Sequence, residues 1–349
     1  MFSVGVQLTP IIEPIKRLGL EGIRGRVFAV DALNVIYQFL ALIRLHSGMP
    51  LTDKEGRVTS HLVGLSTRFT RLMYEYGCDF IFVFDGPPHP LKMREIERRR
   101  RIRETARARW QEALEKGDYR EAFSKAVSAT SVDDEVIASA RRLLELMGLP
   151  VIDAPHDAEA QAAYIVSRGE AWAVNTIDWD ALLYGAPRMV RYITLTGSEW
   201  LPSRGVARRL EPELIVLEEV LRRLGITREQ LVEVAILVGT DYNQGVPGIG
   251  PRRALKLIKR YGSIENLPPS IRGKVGDEWV EVKEIFLNPP VHTEYRITFS
   301  EPRYDELYEF LVIEHDFSPK RVSMIIERLR RINERRKQRR ILDYMGEGV

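Results

Sequence analysis

Residues 26–31 of the chain read RVFAVD, residues 80–85 read FIFVFD, and residues 171–178 read AWAVNTID. Each stretch is a short apolar run that ends in an aspartate. Such a run bounded by polar residues predicts a strand buried on both faces, and strands of that kind belong to parallel sheets covered by helices. Because functional groups gather at the carboxyl ends of such strands, we expect the three aspartates to meet at one edge of the sheet.

The pattern around these runs predicts an α/β fold with a mainly parallel central sheet flanked by helices. Strand-like runs alternate with helical stretches from residue 26 to residue 195, as is typical of parallel sheets. Further on, residues 212–240 are predicted to be helical, with Thr227 as an N-cap and Gly239 as a stop. The expected strands are 26–31, 80–85, 150–153, 171–175 and 189–194, and the expected helices are 32–45, 60–76, 133–147 and 158–168.

Composition excludes several classes of protein. The chain has 349 residues and is 44% hydrophobic, which is ample for a sizeable core. Cys78 is its one cysteine, so no intrachain disulfide can form. The start, MFSVGVQLTPIIEP, lacks the basic stretch of a secretory signal, and no run of about 18 apolar residues could span a membrane. We therefore expect a monomeric, intracellular protein, cytoplasmic or associated with the nucleoid, that has no membrane partner.

Charge is unevenly distributed along the chain. The net charge is only +3, yet residues 92–109 carry nine basic side chains against three acidic ones, and residues 320–340 carry ten against two. The rest of the chain is therefore net acidic. Basic segments on an acidic body favour a polyanion as partner, although either segment alone could equally be a solvated helix face. Arginine dominates both segments and suits bidentate contacts with phosphate.

Seven acidic residues follow predicted strands or lie near predicted helix ends. Taken singly, several of them could simply cap helices. Gathered at one edge they would repel one another unless cations lay between them, so their number favours a metal site. Oxygen ligands without a histidine or cysteine cluster indicate Mg²⁺ or Mn²⁺ rather than Zn²⁺, and two such ions about 4 Å apart can promote phosphodiester hydrolysis. The seven residues are Asp31, Asp85, Asp157, Glu159, Asp178, Asp180 and Asp241.

At this point the chain resembles the flap endonuclease family, and the archaeal members most. The resemblance covers nearly the whole chain and implies one 5′-nuclease domain with a PIN-like fold over residues 1–349. It also implies that the seven carboxylates hold two Mg²⁺ ions, for which Mn²⁺ can substitute. Members of the family cleave DNA with a 5′ flap at single-strand/double-strand junctions in replication and repair, and also act as 5′ exonucleases. The matching stretches are VFAVDALNVIYQFL, FIFVFDGPP, DAPHDAEAQAAY, NTIDWDALLYGAP and VGTDYNQGVPGIGPRRA.

Residues 90–130 are too long and too charged for an ordinary connection between strand and helix. By resemblance they form the helical arch under or through which a 5′ single strand passes. Lys92 and Arg99 then reach the scissile phosphate as catalytic residues, being two helical turns apart on one face. The alternative is a surface helix with ordinary charges. Tyr37 matches an aromatic residue on which the family stacks a terminal base pair, although a tyrosine at an apolar helical position could equally belong to the core.

Residues 240–265 contain a glycine-punctuated turn followed by a basic helix, which indicates a helix-hairpin-helix element. Small residues at Gly248 and Gly250 allow backbone N–H groups to approach a duplex phosphate. Arg252 and Arg253 lie in the first turn of the next helix and would add charge there. In the family a K⁺ ion often bridges this turn to DNA. The alternative is an ordinary helix end and turn.

Residues 330–349 are predicted to form a flexible basic tail that carries a clamp-binding box. The box, QRRILDYM, begins at Gln338, and by resemblance Ile341 and Tyr344 would enter an apolar pocket of the sliding clamp, PCNA. Met345 replaces the usual second aromatic residue. The alternative is a basic tail that only binds DNA.

Two departures from the family pattern concern the site itself. The family usually has glutamate where this chain has Asp157, and the shorter side chain predicts a water-mediated metal contact. Family chains begin Met-Gly-Val, whereas four residues precede Gly5 here; either Val4 is the true start or the four residues crowd the metals. Two other functions stay open: a related 5′ exonuclease or bubble-cutting enzyme, and a DNA-junction-binding protein without nuclease activity.

Overall fold

The computed structural model of the protein describes residues 6–13, 16–45, 47–194, 198–201 and 206–346. The strands are β1 Lys16–Arg17, β2 Val27–Asp31, β3 Asp79–Phe84, β4 Val151–Asp153, β5 Ala173–Asn175, β6 Arg188–Arg191, β7 Ser198–Leu201, β8 Val206–Arg209 and β9 Glu213–Val216. The α-helices are α1 Ala32–Leu42, α2 Ser60–Gly64, α3 Thr70–Tyr76, α4 Met93–Glu115, α5 Tyr119–Ser128, α6 Asp134–Leu146, α7 Ala158–Ser167, α8 Asp180–Leu183, α9 Leu217–Leu224, α10 Arg228–Val238, α11 Pro251–Tyr261, α12 Pro269–Arg272, α13 Trp279–Leu287, α14 Tyr304–Tyr308 and α15 Pro319–Gly346.

The described strands form one mixed sheet of seven strands in the order β1-β9-β6-β5-β2-β3-β4, and a separate hairpin of β7 and β8. The pairs among β4, β3, β2, β5 and β6 are all parallel. Only the edge formed by β9 and β1 is antiparallel. The predicted α/β fold with a mainly parallel sheet is therefore confirmed. Its central strand, β2, carries Asp31 at its carboxyl end.

The central strands are buried because helices cover both faces of the sheet. Phe28, Phe80 and Phe82 point to one face and pack with Phe69 from the helical segment between α2 and α3, whose ring centroid lies 4.7 Å from that of Phe80. The alternate residues of the same strands point to the opposite face and join the core formed with α7, α8 and α10. This two-sided burial accounts for the unbroken apolar runs in the sequence.

The prediction that residues 212–240 are wholly helical is wrong at its start. Residues 213–216, ELIV, form β9, which pairs antiparallel with β6. Three of the four side chains are apolar, and alternate residues are buried, which suits a strand whose two faces differ in exposure. The helices begin only after it, and α10 has the expected N-cap at Thr227, where side chain and backbone exchange hydrogen bonds with Gln230 in a capping box.

Gly86 allows the chain that leaves β3 to pass directly against the loop that follows β4. A Cβ atom at this position would lie 2.3 Å from the Ala154 carbonyl oxygen and 2.6 Å from that of Pro155. The Gly86 amide donates to the His156 carbonyl at 2.7 Å. This close approach brings the end of β3 beside the N-terminus of α7, where Asp85 and Asp157 lie.

The charged excursion predicted at residues 90–130 consists of α4 and α5, which pack against each other after a short turn. Few of its side chains are buried; Ala106 and Ala113 are the buried ones of α4. Lys92 lies in a short 3₁₀ turn, Pro90–Lys92, that runs directly into α4. It therefore stands at the base of the helix that carries Arg99, and not within that helix as the sequence had indicated.

The tail expected to be flexible from residue 330 is helical to residue 346 and packs on the body of the protein over its first part. The Arg336 guanidinium lies 2.5 Å from an Asp79 carboxylate oxygen and 4.5 Å from the Phe299 ring centroid, and Arg335 donates to the Tyr74 carbonyl at 2.9 Å. These contacts, with buried Ile332, hold α15 against α3. Although α15 is long, no helix of the described residues has the length and apolar character needed to cross a membrane.

Candidate active site

Five acidic side chains gather at the carboxyl edge of the parallel strands, and we call them the acidic cluster. Asp31 ends β2, and Asp178 and Asp180 follow β5. Desolvation is severe here: Asp178 is 2% exposed and Asp31 is 3% exposed. A hydrogen bond joins the Asp31 and Glu159 side chains, which shows how closely they meet. The members of the acidic cluster are Asp31, Asp85, Glu159, Asp178 and Asp180.

Backbone amides hold each aspartate of the acidic cluster through one oxygen. Asp31 Oδ1 accepts from the Asn34 amide at 3.0 Å and caps α1. The Ala158 amide donates to Asp85 Oδ1 at 2.7 Å. Asp178 Oδ1 accepts from the Asp180 amide at 3.1 Å, and Asp180 Oδ1 from the Val6 amide at 3.3 Å. An aspartate can therefore bind a backbone amide and still belong to the acidic cluster, because the amide occupies only one of its two carboxylate oxygens.

The pKa values of the acidic cluster report the repulsion within it. Burial, followed by the charge of Asp31, raises the pKa of Asp85 to about 7. Burial, followed by the charge of Asp241, raises the pKa of Asp180 to about 7. Burial and neighbouring carboxylates likewise hold the pKa of Glu159 and of Asp178 well above the usual range. Keeping all of these groups ionised near neutral pH is therefore unfavourable without added positive charge.

The donor chemistry of the acidic cluster fits a hard divalent cation, because only carboxylate oxygens are offered. Among the described residues, however, no three acidic, histidine or cysteine side chains are arranged around one point as a ready metal site. The seven-ligand set remains a prediction.

Asp157 differs from the acidic cluster, although the sequence grouped it there. Its Oδ1 atom lies 2.6 Å from Lys92 Nζ, and its Oδ2 atom accepts from the hydroxyls of Tyr184 and Tyr242. Burial alone would raise the pKa of Asp157, but the Lys92 charge and these hydrogen bonds outweigh it and the pKa is lowered. Asp157 thus has a cationic partner, whereas the acidic cluster forms no ion pair within the described part of the chain.

The two basic residues predicted to be catalytic both reach the rim of the acidic cluster. The Lys92 ammonium also lies 4.9 Å from the centroid of the Tyr242 ring. Arg99 Nη2 lies 2.5 Å from Asp241 Oδ1, and Arg99 Nε donates to Glu95 Oε1 at 2.8 Å. Asp241 follows α10 and is only 14% exposed in its side chain. The structure therefore brings Lys92 beside Asp157, and Arg99 beside Asp241; their catalytic and metal-binding roles remain predictions.

Next to Asp241 and Arg99 lies a cleft of about 1480 Å³, between helix α4 of the basic excursion and the turn after α10. Arginines of α4 line one side, and residues 239–250 line the other. The turn needs glycine at Gly248, where φ is +77°, and the Arg253 guanidinium donates to the Gly248 carbonyl at 3.3 Å. Gly250 begins α11 with no atom within 4 Å of a would-be Cβ, and Arg252 is exposed. The predicted helix-hairpin-helix geometry is thus present as α10, turn and α11.

Tyr37 lies on α1 and is half-buried. Burial raises the pKa of its hydroxyl, while Arg103, Arg44 and Arg99 oppose that shift. The residue therefore stands near the basic excursion and is not enclosed in the core. In the tail, Gln338 is exposed, whereas the side chains of Ile341, Tyr344 and Met345 lie outside the described part of the structure.

Sequence reasoning missed Tyr184, Tyr242 and Glu95. Tyr184 and Tyr242 stood inside quoted motifs, in DALLYG and GTDYN, yet a tyrosine near an apolar run is usually read as core. Their hydroxyls lie 2.7 Å apart beside Asp157, a contact between distant segments that no local pattern reveals. Glu95 could have been found by its spacing, since an acid four residues before Arg99 predicts a helical ion pair.

The chain is similar to known proteins over nearly its full length. Residues 4–106 match the XPG N-terminal domain and residues 148–241 match the XPG I-region. Flap endonuclease 1 of Thermococcus onnurineus is 47% identical over 344 residues, covering 98% of this chain and 99% of that protein. Flap endonuclease 1 of Pyrococcus horikoshii is 48% identical over 329 residues, covering 94% of each.

Comparison with solved structures identifies the same family by its fold. Flap endonuclease-1 from Methanococcus jannaschii is 36% identical and superposes with a TM-score of 0.76, covering 95% of this chain and all of that one. The catalytic core of Rad2 in complex with DNA substrate shares the fold, with a TM-score of 0.68 over 92% of this chain and 97% of that one at 22% identity. Because its sequence is 47–48% identical to these relatives over nearly its whole length and its fold matches theirs, the chain belongs to the flap endonuclease family of structure-specific 5′ nucleases.

Proposed function

We propose that the protein is a 5′ flap endonuclease, with 5′ exonuclease activity, that hydrolyses DNA at single-strand/double-strand junctions with the help of divalent cations. One observation carries the proposal: carboxylates buried with strongly raised pKa values meet two cationic side chains from a basic helical excursion beside an open cleft. A protein that acts on replicating DNA would work inside the cell, in the cytoplasm or at the nucleoid.

The acidic cluster and Asp241 would hold two Mg²⁺ ions, with Mn²⁺ as a substitute. The support for this is chemical: hard cations prefer carboxylate oxygen, and cations would remove the repulsion that now raises the pKa values. When bound, such ions supply an activated water and stabilise the leaving oxygen of a phosphodiester.

Lys92 and Arg99 would bind the scissile phosphate and stabilise the charge that develops there. Their positions support this role, because each is held by a carboxylate at the rim of the acidic cluster. An ammonium has three N–H donors and a guanidinium has five, so both keep donors for phosphate oxygens. The rest of α4 and α5 would guide the single strand through electrostatic attraction.

The DNA duplex would be bound at a second place, distant from the reacting phosphate. Backbone amides at Gly248 and Gly250, with Arg252 and Arg253, suit one strand's phosphates, and a K⁺ ion at this turn would complete the contact. Such contacts position DNA without reading its sequence. Tyr37 would stack on a terminal base pair.

The box at Gln338, Ile341, Tyr344 and Met345 would bind the sliding clamp, PCNA. Support comes from the anchoring of α15: Arg335 and Arg336 hold the helix just before the box. The box would then project from a fixed base.

Asp178→Asn should abolish cleavage of a 5′ flap substrate while leaving flap binding largely intact, because the substitution removes a carboxylate that would bind cations but changes no DNA-facing surface. Asp153→Asn is a matched control, since Asp153 also ends a strand but is exposed and paired only with Arg141. Cleavage rates with Mg²⁺ and binding by fluorescence anisotropy measure both. Near-normal cleavage by the Asp178 variant would show that the metal assignment is wrong.

Mg²⁺ should raise the melting temperature of the protein more at about pH 8 than at about pH 5. Asp85 and Asp180 have folded-state pKa values of about 7, above an unfolded value of about 3.9. Between those values the folded state binds more protons, so these groups make the metal-free protein less stable as pH rises. Cations relieve the repulsion only where the groups are ionised. Calorimetric melting at both pH values tests this, and an equal Mg²⁺ effect at the two would contradict it.

Lys92→Ala and Arg99→Ala should each lower the single-turnover rate by about 10²-fold or more, the scale of one lost transition-state contact, with a smaller effect on affinity. Arg252→Ala and Arg253→Ala should instead weaken duplex binding and reduce its salt dependence by roughly one unit of slope for each lost phosphate contact. Their rates at saturating enzyme should stay near normal. If both pairs merely weaken binding, the excursion is only a landing surface for DNA.

Deleting residues 338–349 should leave cleavage by the protein alone nearly unchanged and remove its stimulation by PCNA. The deletion spares the Arg336–Asp79 ion pair, so α15 should stay docked. Tyr344→Ala is a milder control for loss of the box alone. Undiminished clamp binding by the shortened protein, measured by surface plasmon resonance, would locate the partner site elsewhere.

A further inference from the structure

Both oxygens of Asp157 are already engaged by neighbouring side chains. Its Oδ1 atom is bonded to Lys92 Nζ at 2.6 Å, and its Oδ2 atom accepts two phenolic hydrogen bonds, from Tyr184 and Tyr242. Asp241 is bonded to Arg99 through Oδ1 alone. The two ion pairs therefore differ: both oxygens of Asp157 have side-chain partners, whereas among the described residues Asp241 is hydrogen-bonded to a side chain through Oδ1.

We propose that Asp157 is a positioning residue for Lys92 and not a ligand of the metal ions, and that the hydroxyls of Tyr184 and Tyr242 hold it in that role. This inference rests on the proposed function, in which Lys92 contacts the scissile phosphate. The metal site of this chain would then be made from the acidic cluster and Asp241, which is six carboxylates and not seven.

The length of the side chain at residue 157 supports this division. Aspartate is the shorter of the two acidic side chains, so the carboxylate of Asp157, the N-cap residue of α7, stays close to the helix start. The two tyrosine hydroxyls both donate to Oδ2, the oxygen that is not bonded to Lys92, and they lie 2.7 Å from each other. A carboxylate oxygen that accepts from both has used its two lone pairs. Binding a metal ion instead would require breaking these buried hydrogen bonds, which is unfavourable.

The arrangement also fixes Lys92. Its side chain is only 17% exposed, its ammonium is bonded to Asp157, and the same ammonium lies over the Tyr242 ring. A lysine otherwise loses much conformational freedom when it binds a phosphate. Here that freedom is already restricted, while two of the three N–H donors remain for the phosphate. Pre-orientation of this kind improves a catalytic contact.

Tyr184 offers a clean test because its ring is held independently of its hydroxyl. The ring packs 4.9 Å from that of Phe286, centroid to centroid. Tyr184→Phe should therefore keep the packing and remove only the contacts of the hydroxyl, which are those with Asp157 and with the Tyr242 hydroxyl. The same reasoning makes Lys92→Met preferable to Lys92→Ala here, since methionine retains most of the buried stem.

The first measurement is Mg²⁺ binding by titration calorimetry without DNA. The double variant Lys92→Met/Asp157→Asn removes a neutral ion pair, so the net charge of the site stays constant. We expect its Mg²⁺ affinity to remain within about twofold of wild type, whereas Asp178→Asn should lose about tenfold or more, the scale of a damaged metal site. A double variant that binds Mg²⁺ as weakly as Asp178→Asn would overturn the proposal.

The second measurement is a double-mutant cycle on the single-turnover rate at saturating Mg²⁺ and enzyme. Asp157→Asn should slow cleavage about tenfold, the scale of one lost charge-assisted contact, and should add nothing when Lys92 is already methionine. Tyr184→Phe should slow wild type several-fold but leave Asp157→Asn unchanged. Rate losses that multiply in either cycle would overturn the proposal, since a merely structural role predicts independent effects.

Failure of the inference can be told from failure of the proposed function. If the wild-type protein does not cut a 5′ flap with Mg²⁺, the proposed function is wrong. The calorimetric titration needs neither DNA nor turnover, and it still supports or overturns the assignment of Asp157 as a residue outside the metal site.

Discussion

Repulsion among buried carboxylates is the constraint around which this protein is built. Asp31, Asp85 and Asp178 follow parallel strands and so lie at one edge of the sheet. Burial there raises the free energy of each ionised carboxylate. The rest of the fold must therefore contribute enough stability to offset the repulsion among these carboxylates. It does so with two apolar layers, one on each face of the central strands, and with backbone amides that bind one oxygen of each aspartate. A strained polar edge on a well-packed sheet is how many enzymes combine stability with reactivity.

Much of this arrangement follows from local sequence. An apolar run that ends in aspartate already indicates a buried strand and the edge at which its carboxylate lies, and the parallel pairs β2–β3 and β2–β5 bear this out. Residues 213–216 were harder to identify as a strand from the sequence. A four-residue strand directly before a helix is too short for its alternation of apolar and polar residues to be recognised. Its pairing with β6, some 25 residues earlier in the chain, and with β1 near the start of the chain defines it as a strand.

Contacts between distant segments limit what the sequence can tell about the site. Asp157 shares a helix start with Glu159, yet one pairs with Lys92 and the other joins the acidic cluster. That difference depends on where Tyr184, Tyr242 and the base of α4 lie in space. The tail is a similar case: its composition indicates a solvated segment, but Arg336 forms an ion pair with the half-buried Asp79 at the start of β3.

The order of the elements along the chain has a consequence for synthesis on the ribosome. The basic excursion ends at residue 128, before β5 and the carboxylates that follow it have been made. A nascent chain that ends just before β5 therefore carries the basic helices α4 and α5 but lacks Asp178, Asp180 and Asp241, and its β2 lacks its β5 neighbour. Pairing between strands so far apart in sequence also forms slowly. Under the proposed function, a nascent chain of this length would already attract nucleic acid but would lack carboxylates that cleavage requires.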